Sequence, residues 1–159
     1  MGKVIKLSKE EIQMSNLYNV ANYFISRSDD ENPMTPLKLQ KLCYYAQAWS
    51  LVWDNKELFP DDFQAWIHGP ANYDLYCKYN GFRTISDIDS NYNVNSFELE
   101  QLETLDAVWD AYGKFSGKYL EQLTHEEEPW IKTRGNLPAG VGSDRVIDKN
   151  IIKEYYSNL

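Results

Sequence analysis

Metal and disulfide chemistry have little to work with in this chain. Its 159 residues include two cysteines, Cys43 and Cys77, and two histidines, His68 and His125. No CxxC pair and no HxxxH pair occurs, so neither a disulfide framework nor a zinc motif is expected. Glycine and proline are sparse at eight and six, and no low-complexity tract or internal repeat is found. Positive charge is in deficit: 16 Lys and Arg face 24 Asp and Glu, for a net charge of −8. A general phosphate-backbone binder needs a basic patch, so direct nucleic-acid binding is not expected. No apolar run approaches the roughly 18 residues that cross a bilayer. Met1 to Glu11 carries charges throughout and shows no signal-peptide core, so a cytoplasmic protein with two buried, reduced thiols is expected.

What is abundant is aromatic: 14% of the residues are Phe, Trp or Tyr, which argues for a packed core and against disorder. The length suits one domain spanning 1–159, with residues 1–14 as a lead-in. Within that lead-in, Val4, Ile5 and Leu7 suit a brief strand or a docking arm, while Ser8 with Glu11 suits a capping box. Helical spacing begins at Ser15 and runs to Ser28, with Leu17, Val20, Ala21, Phe24 and Ile25 on one face and Asn16, Asn19 and Asn22 turned to water. Thr35 followed by Pro36 is the clearest helix start. The helix from Pro36 to Trp53 is apolar nearly all round, which predicts a central, buried element.

Short extended pieces are expected between Asn55 and Gly69, with a chain break at His68-Gly69-Pro70. A short aromatic helix follows over Asn72 to Asn80, stopped by Gly81. Arg83 to Asn95 reads as a connecting loop. A long helix is expected from Ser96 to about Phe115, with Leu102, Leu105, Trp109 and Tyr112 inside. Ser116 caps the next helix, Glu128 to Arg134 supplies one or two turns more, and 135–147 reads as a mobile loop. Asp148 then caps the last helix, with Ile147 and Ile152 as a hydrophobic staple. The expected fold is mainly α: one bundle of about six helices around Pro36–Trp53, with room for a small β-hairpin. Phe24, Trp49, Trp53 and Trp109 are expected in its core.

Catalytic signatures are missing. There is no GxSxG elbow, and Cys43 sits mid-helix on an apolar face, unlike a reactive thiolate. Gly140-Val141-Gly142-Ser143 lacks the GK[ST] of a phosphate loop. His125 with Glu126, Glu127 and Glu128 reads as a capped helix end with solvated acids, and Pro129-Trp130 as a corner with Trp130 buried. No catalytic residue, metal ligand or cofactor is assigned. A metal-assisted hydrolase using His68 and His125 is a weaker alternative. The strongest binding candidate is the aromatic stretch around the chain break. Trp66, His68, Gly69, Pro70, Tyr73 and Tyr76 are its expected partner-contact residues, and Trp66 also suits the core. Tyr and Trp bring large contact area and a polar tip at low entropic cost.

Three segments in order also resemble a known family. Thr35-Pro36-Leu37-Lys38-Leu39-Gln40-Lys41-Leu42-Cys43-Tyr44-Tyr45-Ala46-Gln47-Ala48-Trp49, Phe63-Gln64-Ala65-Trp66-Ile67-His68-Gly69-Pro70 and Leu120-Glu121-Gln122-Leu123-Thr124-His125-Glu126-Glu127-Glu128-Pro129-Trp130 are similar to signature segments of the Panacea-domain family. That family includes SocA-like antitoxins and the phage-associated GepA proteins. Cys43 and Ala48 stand where Leu and Gly are common, and Ala71-Asn72 where two apolar residues are. The resemblance implies an antitoxin, from a prophage or another mobile element, that neutralises a co-encoded toxin by direct protein–protein contact. A proteolytic adaptor, or a phage protein bound to a host factor, are the alternatives it leaves open. The −8 charge matches a basic toxin, whose association it would accelerate.

Overall fold

The computed structural model describes Lys3 and residues 15–159. The readings placed on Val4, Ile5, Leu7, Ser8 and Glu11 lie outside the described residues. Among those described are seven α-helices: α1 (Asn16–Arg27), α2 (Pro36–Trp53), α3 (Tyr73–Tyr79), α4 (Leu99–Tyr112), α5 (Gly117–His125), α6 (Glu128–Arg134) and α7 (Lys149–Ser157). One antiparallel hairpin, β1 (Gln64–Trp66) and β2 (Gly69–Ala71), pairs Gln64 with Ala71 and Trp66 with Gly69. The architecture is mainly α with a small hairpin, as the periodicity predicts.

Capping explains most of the boundaries. Ser15, Thr35, Asn72, Ser116 and Asp148 each accept a backbone N–H of the first helical turn through their side chains. Each such cap contributes about 1 kcal/mol. The long fourth helix is shorter than its spacing suggests. A 3₁₀ turn at Val94–Ser96 precedes it, α4 opens at Leu99 on a Glu98–Gln101 capping box, and it closes at Gly113.

Helix α2 is the axis of the fold. It packs against α1, α3, α4, α5, α7 and β2. Twelve of its residues are buried, among them Lys38, Gln40, Lys41, Gln47 and Ser50. These polar side chains reach the backbone of neighbouring irregular segments. Lys38 Nζ donates to Gly113 O at 2.5 Å, Gln47 Nε2 to Phe59 O at 2.7 Å, and Ser50 Oγ to Lys56 O at 2.7 Å. Buried carbonyls of loops must find donors, and here a helix supplies them. Close approach of α5 needs Gly117, where a Cβ would fall 2.8 Å from Lys38 N and 3.2 Å from Leu37 Cβ.

Several expectations are corrected. Asn19 and Asn22 do not face water; they are 4% and 0% exposed. Asn19 donates to Ser96 Oγ at 3.2 Å, while Asn22 donates to Asp89 and accepts from the Asp89 N–H at 2.8 Å. Both therefore tie the 83–98 segment to α1. Trp53 is not core: it is 52% exposed because it ends α2, where it stacks on Trp49 at 4.8 Å. Trp49 and Trp109 are partly buried against the core, and Phe24 is fully inside. Cys43 is buried as expected, but Cys77 is exposed on the outer side of α3. Glu127 is not solvated. It is 7% exposed, and one of its oxygens accepts both Tyr45 Oη at 2.7 Å and Tyr156 Oη at 2.9 Å. Trp130 is 8% exposed, in agreement with a buried corner.

Candidate protein-binding site

The hairpin is held on two sides by side chains distant in sequence. On its inner edge, Gln40 pairs with the backbone of Asn72 in both directions, at 2.9 and 2.8 Å. From the next residue of α2, Lys41 Nζ donates to Pro70 O at 3.0 Å. These two side chains do for β2 what a further strand would do, satisfying the edge groups that β1 leaves free. Burial pushes the Lys41 amine down to about 7, and the nearby Glu121 partly offsets this.

On the other side, the Thr124–Trp130 corner clasps the turn. Trp130 Nε1 donates to Trp66 O at 2.7 Å, and Arg134 Nη1 donates to Ala65 O at 3.0 Å. His125 stacks on Trp130 with centroids 4.0 Å apart. Burial lowers its pKa. Arg134 also donates to Pro138 O and Val141 O, which pins part of the 135–147 loop against α6. Gly69 closes the arrangement. Its φ is +99°, and a Cβ there would lie 2.7 Å from both Lys41 Cε and Thr124 Oγ1.

Tightly fixed from behind, the hairpin forms one wall of an open cleft of about 940 Å³. Tyr73 and Tyr76 of helix α3 and Phe82 just beyond it also line the cleft, with Leu39, Leu75 and Tyr79. Leu37 and the 142–144 segment complete the rim. The lining is largely apolar and aromatic. Trp66 is half-buried and packs edge-on to Tyr76 at 5.3 Å, with its Nε1 donating to Gln64 at 2.7 Å. Tyr73 and Tyr76 are 60% and 46% exposed. Exposed aromatics grouped on one concave surface mark a contact site more strongly than single ones do.

The structure therefore brings Trp66, His68, Tyr73 and Tyr76 to one cleft. Gly69 also lines it, whereas Pro70, the next residue of β2, does not; both are buried, and they shape the turn. Sequence reasoning left out Gln40, Lys41, Glu121 and Phe82. The first three are polar residues on helices whose partners lie far along the chain, and periodicity carries no signal of that. Among the described residues, no group of three His, Cys, Asp or Glu side chains could hold a metal ion. No helix among them is long and apolar enough to cross a membrane.

Of the three segments that carried the family resemblance, α2 and the hairpin line this cleft, and the α5–α6 corner holds the hairpin from behind. The family model described as "Antitoxin SocA-like, Panacea domain" matches residues 39–131, more than half of the chain. The chain belongs to the SocA-like antitoxin, Panacea-domain family. The matched region runs from the first turn of α2 through the hairpin and α3 to Trp130 and Ile131 at the corner. It thus holds most of the cleft and, apart from Arg134, the side chains that hold the hairpin from behind. No curated protein and no solved structure matches the chain.

Proposed function

We propose that this Panacea-domain protein is a cytoplasmic antitoxin of a prophage or other mobile element. It neutralises a co-encoded toxin by seating a segment of that toxin in the cleft between the hairpin and α3. Membership of an antitoxin family carries the reading. The cleft supports it, because Tyr73, Tyr76 and Phe82 are each about half exposed on one concave, aromatic surface. Covering the exposed half of each ring contributes roughly 2 kcal/mol per ring, at about 25 cal/mol per Å² of apolar surface. Three anchors of that size suffice for a specific interface once ordering costs are met.

Trp66, His68, Tyr73 and Tyr76 are the contacts in this reading, with Gly69 and Pro70 setting the turn that presents the first two. The net charge of −8 favours a basic toxin. Its association rate should then fall as salt screens the attraction. The test is co-expression with the product of the adjacent reading frame. That product should arrest growth alone and be silent beside the wild-type protein. Tyr73→Ala/Tyr76→Ala, shown folded by circular dichroism, should fail to restore growth. If no neighbouring frame is toxic, the antitoxin reading fails. If the double variant protects as well as wild type, the cleft is not the site.

A further inference from the structure

His68 stands at the hairpin tip with its ring 71% exposed, yet one of its nitrogens is fixed. Nδ1 lies 3.0 Å from Glu121 Oε1, whose side chain is only 8% exposed. Glu121 is itself anchored. Lys118 Nζ sits 3.4 Å from its other oxygen, and the buried Lys41 amine lies near enough for their charges to interact. Thr124 Oγ1 caps the Glu121 carbonyl at 2.7 Å, on the same turn of α5. A carboxylate only accepts, so the hydrogen of the neutral ring belongs on Nδ1. Nε2 then carries a lone pair and has no partner among the described residues. The ring bearing it lines the cleft.

We propose that Glu121 is a positioning residue that makes His68 a hydrogen-bond acceptor at the mouth of the cleft. The partner recognised there is a protein segment that offers an N–H or O–H to Nε2 while an apolar side chain covers the exposed rings of Tyr73 and Tyr76. This rests on the reading of the cleft as the toxin-binding site, and it adds a polar requirement to an otherwise apolar surface. A histidine free in water favours the opposite tautomer, with hydrogen on Nε2. An ordinary exposed histidine would therefore present a donor, and Glu121 inverts that preference. Such orientation by a carboxylate on the far nitrogen is how many imidazoles are aimed at their targets.

The first arm of the test needs no toxin. Long-range proton–nitrogen correlation spectra of the ¹⁵N-labelled protein at pH 8 report the tautomer of each histidine, with His68 assigned through His68→Gln. The expected result is the Nδ1–H form for His68 in the wild type, and a return to mainly Nε2–H in Glu121→Ala. A wild-type His68 in the Nε2–H form overturns the proposal. The second arm uses the purified product of the toxic neighbouring frame. His68→Gln keeps an acceptor near the Nε2 position and should bind within about 3-fold of wild type, whereas His68→Asn should weaken binding about 10-fold. Equal affinity of His68→Asn and wild type overturns the proposal. The two readings fail separately. If Tyr73→Ala/Tyr76→Ala also binds normally, the cleft reading is wrong. If that double variant loses binding while His68→Asn does not, only the acceptor role is wrong.

Discussion

Lys41 donates to the Pro70 carbonyl at 3.0 Å from a side chain only 1% exposed, and it crosses so close to Gly69 that no Cβ fits between them. With the Gln40, Trp130 and Arg134 bonds, this contact fixes the hairpin from behind. A helix rich in buried polar side chains holds a three-residue strand that could not be stable alone. The turn at His68 and Gly69 then presents aromatic and imidazole groups to solvent.

Gly69→Ala should therefore destabilise the protein strongly. It forces a positive φ on a residue with a Cβ and places that atom 2.7 Å from Lys41 and Thr124. The two effects together should cost about 2–4 kcal/mol in urea unfolding. Gly140→Ala, where nothing lies within 4 Å, is the control and should stay within about 0.5 kcal/mol of wild type.

Stability should rise with pH just above neutrality. Burial holds the Lys41 amine at about 7 in the folded protein, against 10.5 for a free lysine. Between those values the unfolded chain carries a proton that the native chain lacks, so raising the pH favours the fold. His125, lowered by burial from 6.5, acts in the same sense, chiefly at and below the pKa of a free imidazole. Above about pH 8.5 the buried Cys43 and Tyr44, both pushed up by burial, begin to act in the opposite sense as their unfolded counterparts ionise. From pH 7 to 8.5 the gain should be about 1.5 kcal/mol, at 1.36 kcal/mol per unit of pKa. Lys41→Met should abolish the rise, and an unchanged slope would show that another group is responsible.

Glu127 offers a test of the core. Tyr45 and Tyr156 both donate to the same oxygen of this carboxyl, whose pKa burial raises. Tyr45→Phe and Tyr156→Phe should each cost about 1–2 kcal/mol by denaturation. The double variant leaves that oxygen unpaired in the interior. Its cost should exceed the sum of the single losses by about 0.5 kcal/mol or more.

The sequence carried the helices well and the buried polar contacts poorly. Thr35-Pro36 announced α2, and its all-round apolar face announced a central position. Both follow from local chemistry that lies within one turn of the residue concerned. Asn22, Glu127 and Lys41 were illegible because their partners, Asp89, Tyr45 and Pro70, lie far away along the chain. A polar side chain at a helical position reads as solvent-facing until its distant partner is known. Trp53 erred in the other direction, since an apolar stripe continues to the helix end after the core has stopped. The aromatic stretch from Trp66 to Tyr76 was visible as a cluster. Its division into a half-buried Trp66, exposed tyrosines and a buried Gly69-Pro70 required the fold.

The most direct measurement is isothermal titration of the purified toxic neighbour into the wild-type protein and into folded Tyr73→Ala/Tyr76→Ala. The account predicts tight one-to-one binding by the wild type and a loss of about 100-fold in the double variant, as removal of two central aromatic anchors implies. Equal affinities for the two proteins would contradict it.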